Sequence, residues 1–378
     1  MAERFPAESN APRSFVVAQS TGMNALGFMF APVRKTLIAG VQALGGARWH
    51  VSESLIPMKG GESITLRRQH IAEAVLPSLR KGDIFCWLGL HASREAPWQA
   101  LKQLRVWRVY FQTEPWTYGS GSCAELQWLQ STDAVDEVWF YSRSNMRHCT
   151  ALLWQNGTKP PYMRFVPPGA VASNMKSNGS TTSIHGHDAP DSGALRRWTF
   201  FGDLHSSTAI RRRRCVDSLH REAHLMDASL PTVQPVYKLW SESAVCALMH
   251  RSAFFLNLHK TCNSSSPPAT VKPVEAFRMA LLLDSAARCG SGEHGASSTP
   301  PVLILSETSD PQDEEDWEGI VSFAPIAELP SAYARLTQMD SARKNRLAQE
   351  QGAQFRLRFA PASILRRAQV DELLISRE

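Results

Sequence analysis

The chain has 378 residues, 43% of them hydrophobic and 20% charged, with 41 basic against 35 acidic side chains and a net charge of +6. That composition excludes a disordered chain, and the length exceeds one ordinary core, which favours two domains with additions at the C-terminal end. So mild a basic excess suits an anionic small ligand or a membrane surface; nucleic-acid binders concentrate charge and interleave it with aromatic residues on one surface.

Strand and helix signals alternate along the first half. SFVVAQS (Ser14–Ser20) is a short β-rich run, followed by TGMNALGF and the helix-like VRKTLIAGVQALGG, which ends in glycines. GDIFCWLGLHA (Gly82–Ala92), LRVWRVYFQTEPW (Leu104–Trp116), VDEVWFYSRSN (Val135–Asn145) and YMRFVPPG (Tyr162–Gly169) read as further strands, the last stopped by a double proline. Strands separated by helix-length spacers predict a parallel sheet wound by βαβ units. The composition then turns to Ser, Asn, Gly and His from Ala172 to Ala194, a linker or exposed insertion.

A second α/β series follows. RRWTFFGDL (Arg196–Leu204) is a strand, AIRRRRCVDSLHREA (Ala209–Ala223) a helix, TVQPVYKLW an extended piece, and SESAVCALMHRS (Ser241–Ser252) a helix with Ser241 as N-cap. FFLNLHK supplies the next strand and VKPVEAFRMALLLDSAARC (Val271–Cys289) a helix with Pro273 near its start. PPVLILSET is a strand, and IVSFAPIAELPSAYARL is a strand leading into a helix, with a charged helical tail beyond Ser341. The expected division is residues 14–170 for an N-terminal Rossmann-like domain, 171–195 for a linker and 196–340 for a C-terminal one, with 341–378 as the tail.

Several strands end in residues that cannot extend them. Gly202, the pair Asn257 and His259, and the pair Ser306 and Glu307 end strands of the second half; Asn24, His91 and Glu114 do so in the first. In an open α/β sheet the ligand crevice lies outside the carboxyl ends of the strands, so these endings predict a polar rim in the cleft between two halves. His91 reads as structural or catalytic. Glu114, where a strand leaves the core, would have a raised pKa if buried and could work as a base.

FFGDLHSSTAIRRRRC places a strand end at Gly202 and arginines from Arg211 to Arg214 in the first turns of a helix. Cations there oppose the helix dipole, a conflict that an anion at the helix N-terminus would relieve. The alternative is a solvated basic face; the sharper reading has Arg211 or Arg212 facing a diphosphate. In VEAFRMALLL, Glu275 and Arg278 share one helical face, either as a simple ion pair or as contacts to a ribose or sugar hydroxyl and to phosphate.

Taken in order, YFQTEP, VDEVWFYSRSN, RFVPPG, FFGDLHSSTAIRRR, FFLNLHK, VEAFRMALLL and LILSE resemble the glycosyltransferase group 1-like proteins, from about Leu104 to Ala324. The resemblance implies a GT-B fold, an α/β arrangement of two Rossmann-like domains facing across a cleft. It also implies a nucleotide-sugar donor held mainly by the second domain, with no metal and no other cofactor. By that analogy Arg211 and Arg212 neutralise the leaving diphosphate, Glu275 meets the donor ribose or sugar, and Ser306 and Glu307 line the nucleotide pocket. Retaining members of this superfamily carry a second glutamate after seven intervening residues; here that place holds Leu283, with Asp284 adjacent. The expected partners are a nucleotide-sugar donor and a glycan, protein or small-molecule acceptor. A catalytically inactive relative that binds nucleotide or glycan is the alternative.

Seven cysteines are scattered without a C-x-x-C pair, so zinc and redox motifs are not expected, and an odd count without a framework favours a reducing compartment. No run reaches the ~20 apolar residues of a membrane helix, and MAERFPAESNAPRSF lacks the apolar core of a signal peptide. A cytoplasmic protein without an integral membrane segment is the expectation. N-glycosylation sequons at Asn156, Asn178 and Asn263 point weakly the other way.

Overall fold

The computed structural model describes residues 11–21, 30–58, 61–89, 93–113, 123–171, 197–201, 204, 210–229, 233–236, 242–259, 275–289 and 302–377. Its strands are β1 (Arg13–Ser20), β2 (Trp49–Ile56), β3 (Ile84–Gly89), β4 (Trp107–Gln112), β5 (Glu137–Phe140), β6 (Tyr162–Phe165), β7 (Arg197–Phe201), β8 (Gln234–Val236), β9 (Ser252–Asn257), β10 (Leu303–Glu307) and β11 (Ser322–Ala324). The α-helices of the first half are α1 (Ala31–Gly45), α2 (Ile64–Val75), α3 (Trp98–Gln103), α4 (Ala124–Ser131) and α5 (Arg143–Gln155). Those of the second half are α6 (Ile210–Met226), α7 (Glu242–Arg251), α8 (Ala276–Cys289), α9 (Pro311–Trp317) and α10 (Leu329–Gln338). Three more close the chain: α11 (Ser341–Arg358), α12 (Pro361–Arg367) and α13 (Val370–Ser376).

Two sheets result. The first runs β2-β1-β3-β4-β5-β6 and the second β11-β10-β9-β7-β8, and every pairing in both is parallel. The central strands are apolar on both faces, as parallel strands covered by helices must be. Period-two alternation divides their side chains between two cores: Ile84, Cys86, Leu88, Val109 and Phe111 point into one, Phe85, Trp87, Tyr110, Val138 and Phe140 into the other. The sequence reading places no strand at β2, most of whose residues are partly or fully exposed because it is the edge of its sheet. It also runs a strand signal on to Asn145, whereas β5 ends at Phe140 and the Ser142 hydroxyl accepts from the Asn145 N–H and caps α5 at once.

The residues after Ser341 are helical as expected, but they are not a separate tail. Phe355, Phe359, Ile364, Leu365 and Val370 share a core with Phe15, Leu37 and Val41 of the first unit. A Cβ on Gly40 of α1 would meet Leu365 Cδ1 at 2.6 Å, and one on Gly169 would meet the Phe359 carbonyl oxygen at 2.5 Å. The glycine of RFVPPG therefore lets the chain pass beneath the returning helices. There the Gly169 N–H donates to Thr36 Oγ1 at 2.8 Å and the Ala170 N–H to the Phe359 carbonyl at 2.9 Å.

The two units meet at a joint. Asp313 of α9, buried, accepts from the Ser142 hydroxyl at 2.7 Å and from the Ser144 hydroxyl and N–H at 2.8 and 3.2 Å. Phe277 of α8 sits edge-on to Phe30 at 4.9 Å and tilted against Tyr141 at 4.6 Å.

The cysteine reading needs correction: the structure pairs Cys123 with Cys149 and Cys246 with Cys289 as disulfides. Each pair is brought together from separate elements, which a spacing argument does not detect. Disulfides persist in oxidising surroundings, so the cysteines no longer argue for a reducing compartment. Among the described residues no helix is long and apolar enough to cross a membrane.

Candidate functional site

Parallel register sets the site. Ser306 of β10 stands directly opposite Asn257 of β9, and the Asn257 amide donates to Ser306 Oγ at 3.0 Å. The other face of Asn257 accepts from Arg278 Nη1 at 2.7 Å. Helix α8 supplies Arg278, and Glu275 precedes its first residue with a carbonyl that receives the Met279 N–H at 3.5 Å.

Helix α6 brings its arginines to the same edge. Arg211 grips both carboxylate oxygens of Glu307, with Nη1 at 2.9 Å from Oε2 and Nη2 on Oε1, and Nη1 also donates to the His259 carbonyl at 3.0 Å. Arg212 donates to the Leu258 carbonyl at 3.1 Å and to Glu275 Oε1 at 2.9 Å. Arg213 reaches the Leu204 carbonyl at 2.7 Å, and Arg214 is exposed. The intrahelical Glu275–Arg278 pair exists at 3.7 Å, but Arg212 is the closer partner.

Arg211, Arg212, Asn257, His259, Glu275, Arg278, Ser306 and Glu307 thus form one connected polar cluster. Glu114, His91, Asn24 and Gly202 lie outside the described residues. The dipole conflict at the start of α6 has a different resolution from the one expected. Glu307 and Glu275, both from other elements, serve as the counterions, so no external anion is required to hold the arginines there. Asp284 does not stand in for the second glutamate: it is buried, and its Oδ1 accepts from the Val171 N–H at 2.9 Å.

Phe200 of β7 is a contributor that sequence reasoning missed. The guanidinium groups of Arg212 and Arg278 lie 5.7 and 5.4 Å from its ring centroid, a cation–π support for two buried like charges. Only the doubled Phe in FFGDL hints at it, and nothing there says which ring faces the cluster. The contact of His259 Nε2 with the Thr308 carbonyl at 3.1 Å was likewise unforeseen; it makes Nε2 the protonated nitrogen.

Burial holds the His259 imidazole below its ordinary range, against the opposing pull of Glu307 and Glu275. Burial also acts to raise the Glu275 carboxyl, but Arg212 and Arg278 outweigh it and the group stays below its usual value. The Arg278 guanidinium is pushed down to about 10, chiefly by burial and then by Arg212. These shifts favour a carboxylate at Glu275 and a neutral imidazole at His259. With 30% of its side chain exposed, Glu275 is the open member; the side chains of Arg212 and Glu307 are 5% and 2% exposed.

Two parallel sheets, each flanked by helices, with the second sheet's polar strand ends beside the joint, define the GT-B architecture of two Rossmann-like units facing across a cleft. Solved structures share that shape. An alpha,alpha-trehalose-phosphate synthase (UDP-forming) from Burkholderia vietnamiensis matches with a TM-score of 0.58 at 12% identity, over 97% of this chain and 99% of that one. A UDP-forming enzyme of the same description from Burkholderia xenovorans gives 0.57 at 10% identity, over 95% of this chain and 98% of that one. The N-terminal domain of trehalose-6-phosphate phosphatase from Candida albicans gives 0.55 at 7% identity, over 100% and 99%. No protein-family model matches the chain, and no curated protein matches its sequence. Among the described residues no group of three or more His, Cys, Asp or Glu could hold a metal ion.

Proposed function

We propose that the protein is a glycosyltransferase that moves a sugar from a nucleotide-diphosphate sugar to an acceptor without a metal ion. The observation that carries this reading is the convergence of Arg211, Arg212, Arg278, Glu275 and Glu307 at the starts of α6 and α8. The GT-B structures it resembles include enzymes described as UDP-forming, that is, enzymes that release a nucleoside diphosphate. In this reading the start of α6 and Arg211 stabilise charge developing on the departing diphosphate. Glu275 accepts from a hydroxyl of the donor ribose or sugar, and Ser306 and Glu307 border the nucleotide. Glu114 or His91 acts as the base from the opposite wall, and closure of the two units limits donor hydrolysis by water. Because Arg211 already grips Glu307, an entering diphosphate exchanges one anionic partner for another instead of meeting a bare cation.

That self-neutralisation also favours a second reading, a GT-B protein that binds nucleotide or glycan without turnover. The same fold occurs in the N-terminal domain of a phosphatase, so the architecture is not tied to one chemistry.

A thermal-shift panel of nucleoside diphosphates and nucleotide-sugars separates the readings when paired with an assay for released diphosphate. Transfer predicts that one nucleotide raises the melting temperature, that its sugar is consumed with acceptor present, and that Glu275→Gln weakens both. A melting shift without consumption leaves the binding reading. No shift with any nucleotide or nucleotide-sugar removes the transfer reading and leaves only glycan binding.

A further inference from the structure

A second concentration of guanidinium groups lies on the outer side of the joint. A crevice of about 170 Å³ runs between the start of α5, the edge strand β6 and the end of α12, and Arg143, Arg164 and Arg367 line it with Tyr162 and Phe165. Arg164 is fully committed: it forks onto Glu137 at 2.7 and 2.9 Å and gives Nη1 to the carbonyls of Ala368 and Gln369 at 2.6 and 2.8 Å.

The others are not. Arg143 donates Nε to Asp316 at 2.8 Å and rests on the Phe165 ring at 4.1 Å, leaving both Nη groups without a hydrogen bond among the described residues. Arg367 gives Nη2 to the Arg358 carbonyl. Asp316 attracts Arg367 while Arg143 and Arg358 repel it. Arg358 itself faces carbonyls, those of Glu318 and Glu315 at 2.6 and 2.9 Å. Asp316 accepts a hydrogen bond from Arg143 and also feels the charges of Arg367 and Arg358, and burial pushes its carboxyl up toward the neutral form against the pull of all three.

Helix-end stabilisation accounts for Arg367, in the last turn of α12. It does not account for Arg143, the first residue of α5, where the dipole has the same sign. Asp313 neutralises the α5 terminus from the other side, so the surplus belongs to the side chains. We infer that this crevice is an anion site, separate from the interdomain cleft, for a phosphate group: free phosphate or a small phosphate monoester. The guanidinium fork matches phosphate oxygens. The volume is below the ~300 Å³ at which drug-sized pockets begin, and so suits a small oxyanion with a few waters. Arg143 comes from the first unit and Arg367 from the returning helices, so the anion bridges those two.

Inorganic phosphate is the probe, titrated against melting temperature at constant ionic strength held with sodium chloride. The expected result is a saturable rise in the wild type, weakened about tenfold in Arg367→Gln and in Arg143→Gln, roughly the loss of one charged hydrogen bond. Glu275→Gln, altered in the cleft, should keep the wild-type response. Tighter binding of glycerol 3-phosphate than of phosphate identifies the monoester as the ligand; the reverse identifies free phosphate. An equal phosphate response in wild type and Arg367→Gln overturns the assignment, as does a rise that sodium chloride alone reproduces. A response strengthened in Glu275→Gln, where the cleft arginines lose a counterion, but unchanged in both arginine variants moves the phosphate to the cleft and overturns it too.

Discussion

The ends of the two sheets treat buried charges alike and buried amides differently. On the second sheet the strand ends and neighbouring helix starts carry full charges, and each one named above is paired: Arg211 with Glu307, Arg212 with Glu275, Arg278 with Asn257 and Glu275. On the first, the buried Arg34 of α1 is likewise paired, with Glu53 and with Gln19 at 2.7 Å, but Gln112 at the end of β4 and Asn145 in the first turn of α5 are wholly buried with neither amide atom of either side chain hydrogen-bonded among the described residues. The difference follows from the cost of desolvation. An unpaired buried charge is far more expensive than an unpaired amide, for which mutational data give about 1–3 kcal/mol. A buried charge must be neutralised for the chain to fold, whereas a buried amide can keep unspent hydrogen-bonding capacity.

The sharpest way to break this comparison is to remove one partner of a charged pair. Arg211→Ala strands the Glu307 carboxylate, 2% exposed, and should lower stability by about 3–5 kcal/mol in urea unfolding. The double change Arg211→Met with Glu307→Leu should lose clearly less. If the single change loses under about 1 kcal/mol, the charges on this edge do not depend on each other.

The buried amides predict a smaller effect of the other sign. Gln112→Met keeps length and removes two unpartnered polar atoms, so unfolding should show no loss, or a gain of up to about 1 kcal/mol. A loss above that would mean that the amide makes a bond in solution.

The smallest effect is set by pH. His259 is held low by burial, as are His148 and His220. Below the ordinary value of 6.5 the unfolded chain takes up protons that the folded imidazoles refuse, so stability falls as pH drops and levels off below the folded values. Melting temperature should therefore decline from pH 7 to pH 5, and His259→Gln should flatten the slope. Glu275, shifted down instead, adds its loss only as pH falls below its ordinary 4.5. A slope unchanged in the histidine variant would show that His259 is not buried as a neutral ring.

Much of this was legible in the chain because parallel strands are local, apolar and abruptly ended. FFLNLHK and LILSE each declared a strand and its polar terminus, and the register that sets Asn257 against Ser306 follows from having two such strands side by side. What stayed hidden depends on elements distant in sequence. The arginine run showed an unfavourable helix start, but that Glu307 would answer Arg211 across 96 residues has no local signal. The edge strand β2 was missed because its half-exposed residues lack the apolar run of the central strands, and the disulfides because their partners lie 26 and 43 residues apart on different elements.

The return of α12 and α13 over α1 has a consequence for biogenesis. A nascent chain that has emerged only through Gln338 would lack the Leu365 that packs on Gly40 of α1 and leave the core around Phe15, Leu37 and Val41 incomplete, so the earliest half to be translated is among the last to be finished. Assembly is interleaved, one lobe waiting on the other, and even a modest C-terminal truncation would strike the amino-terminal lobe first.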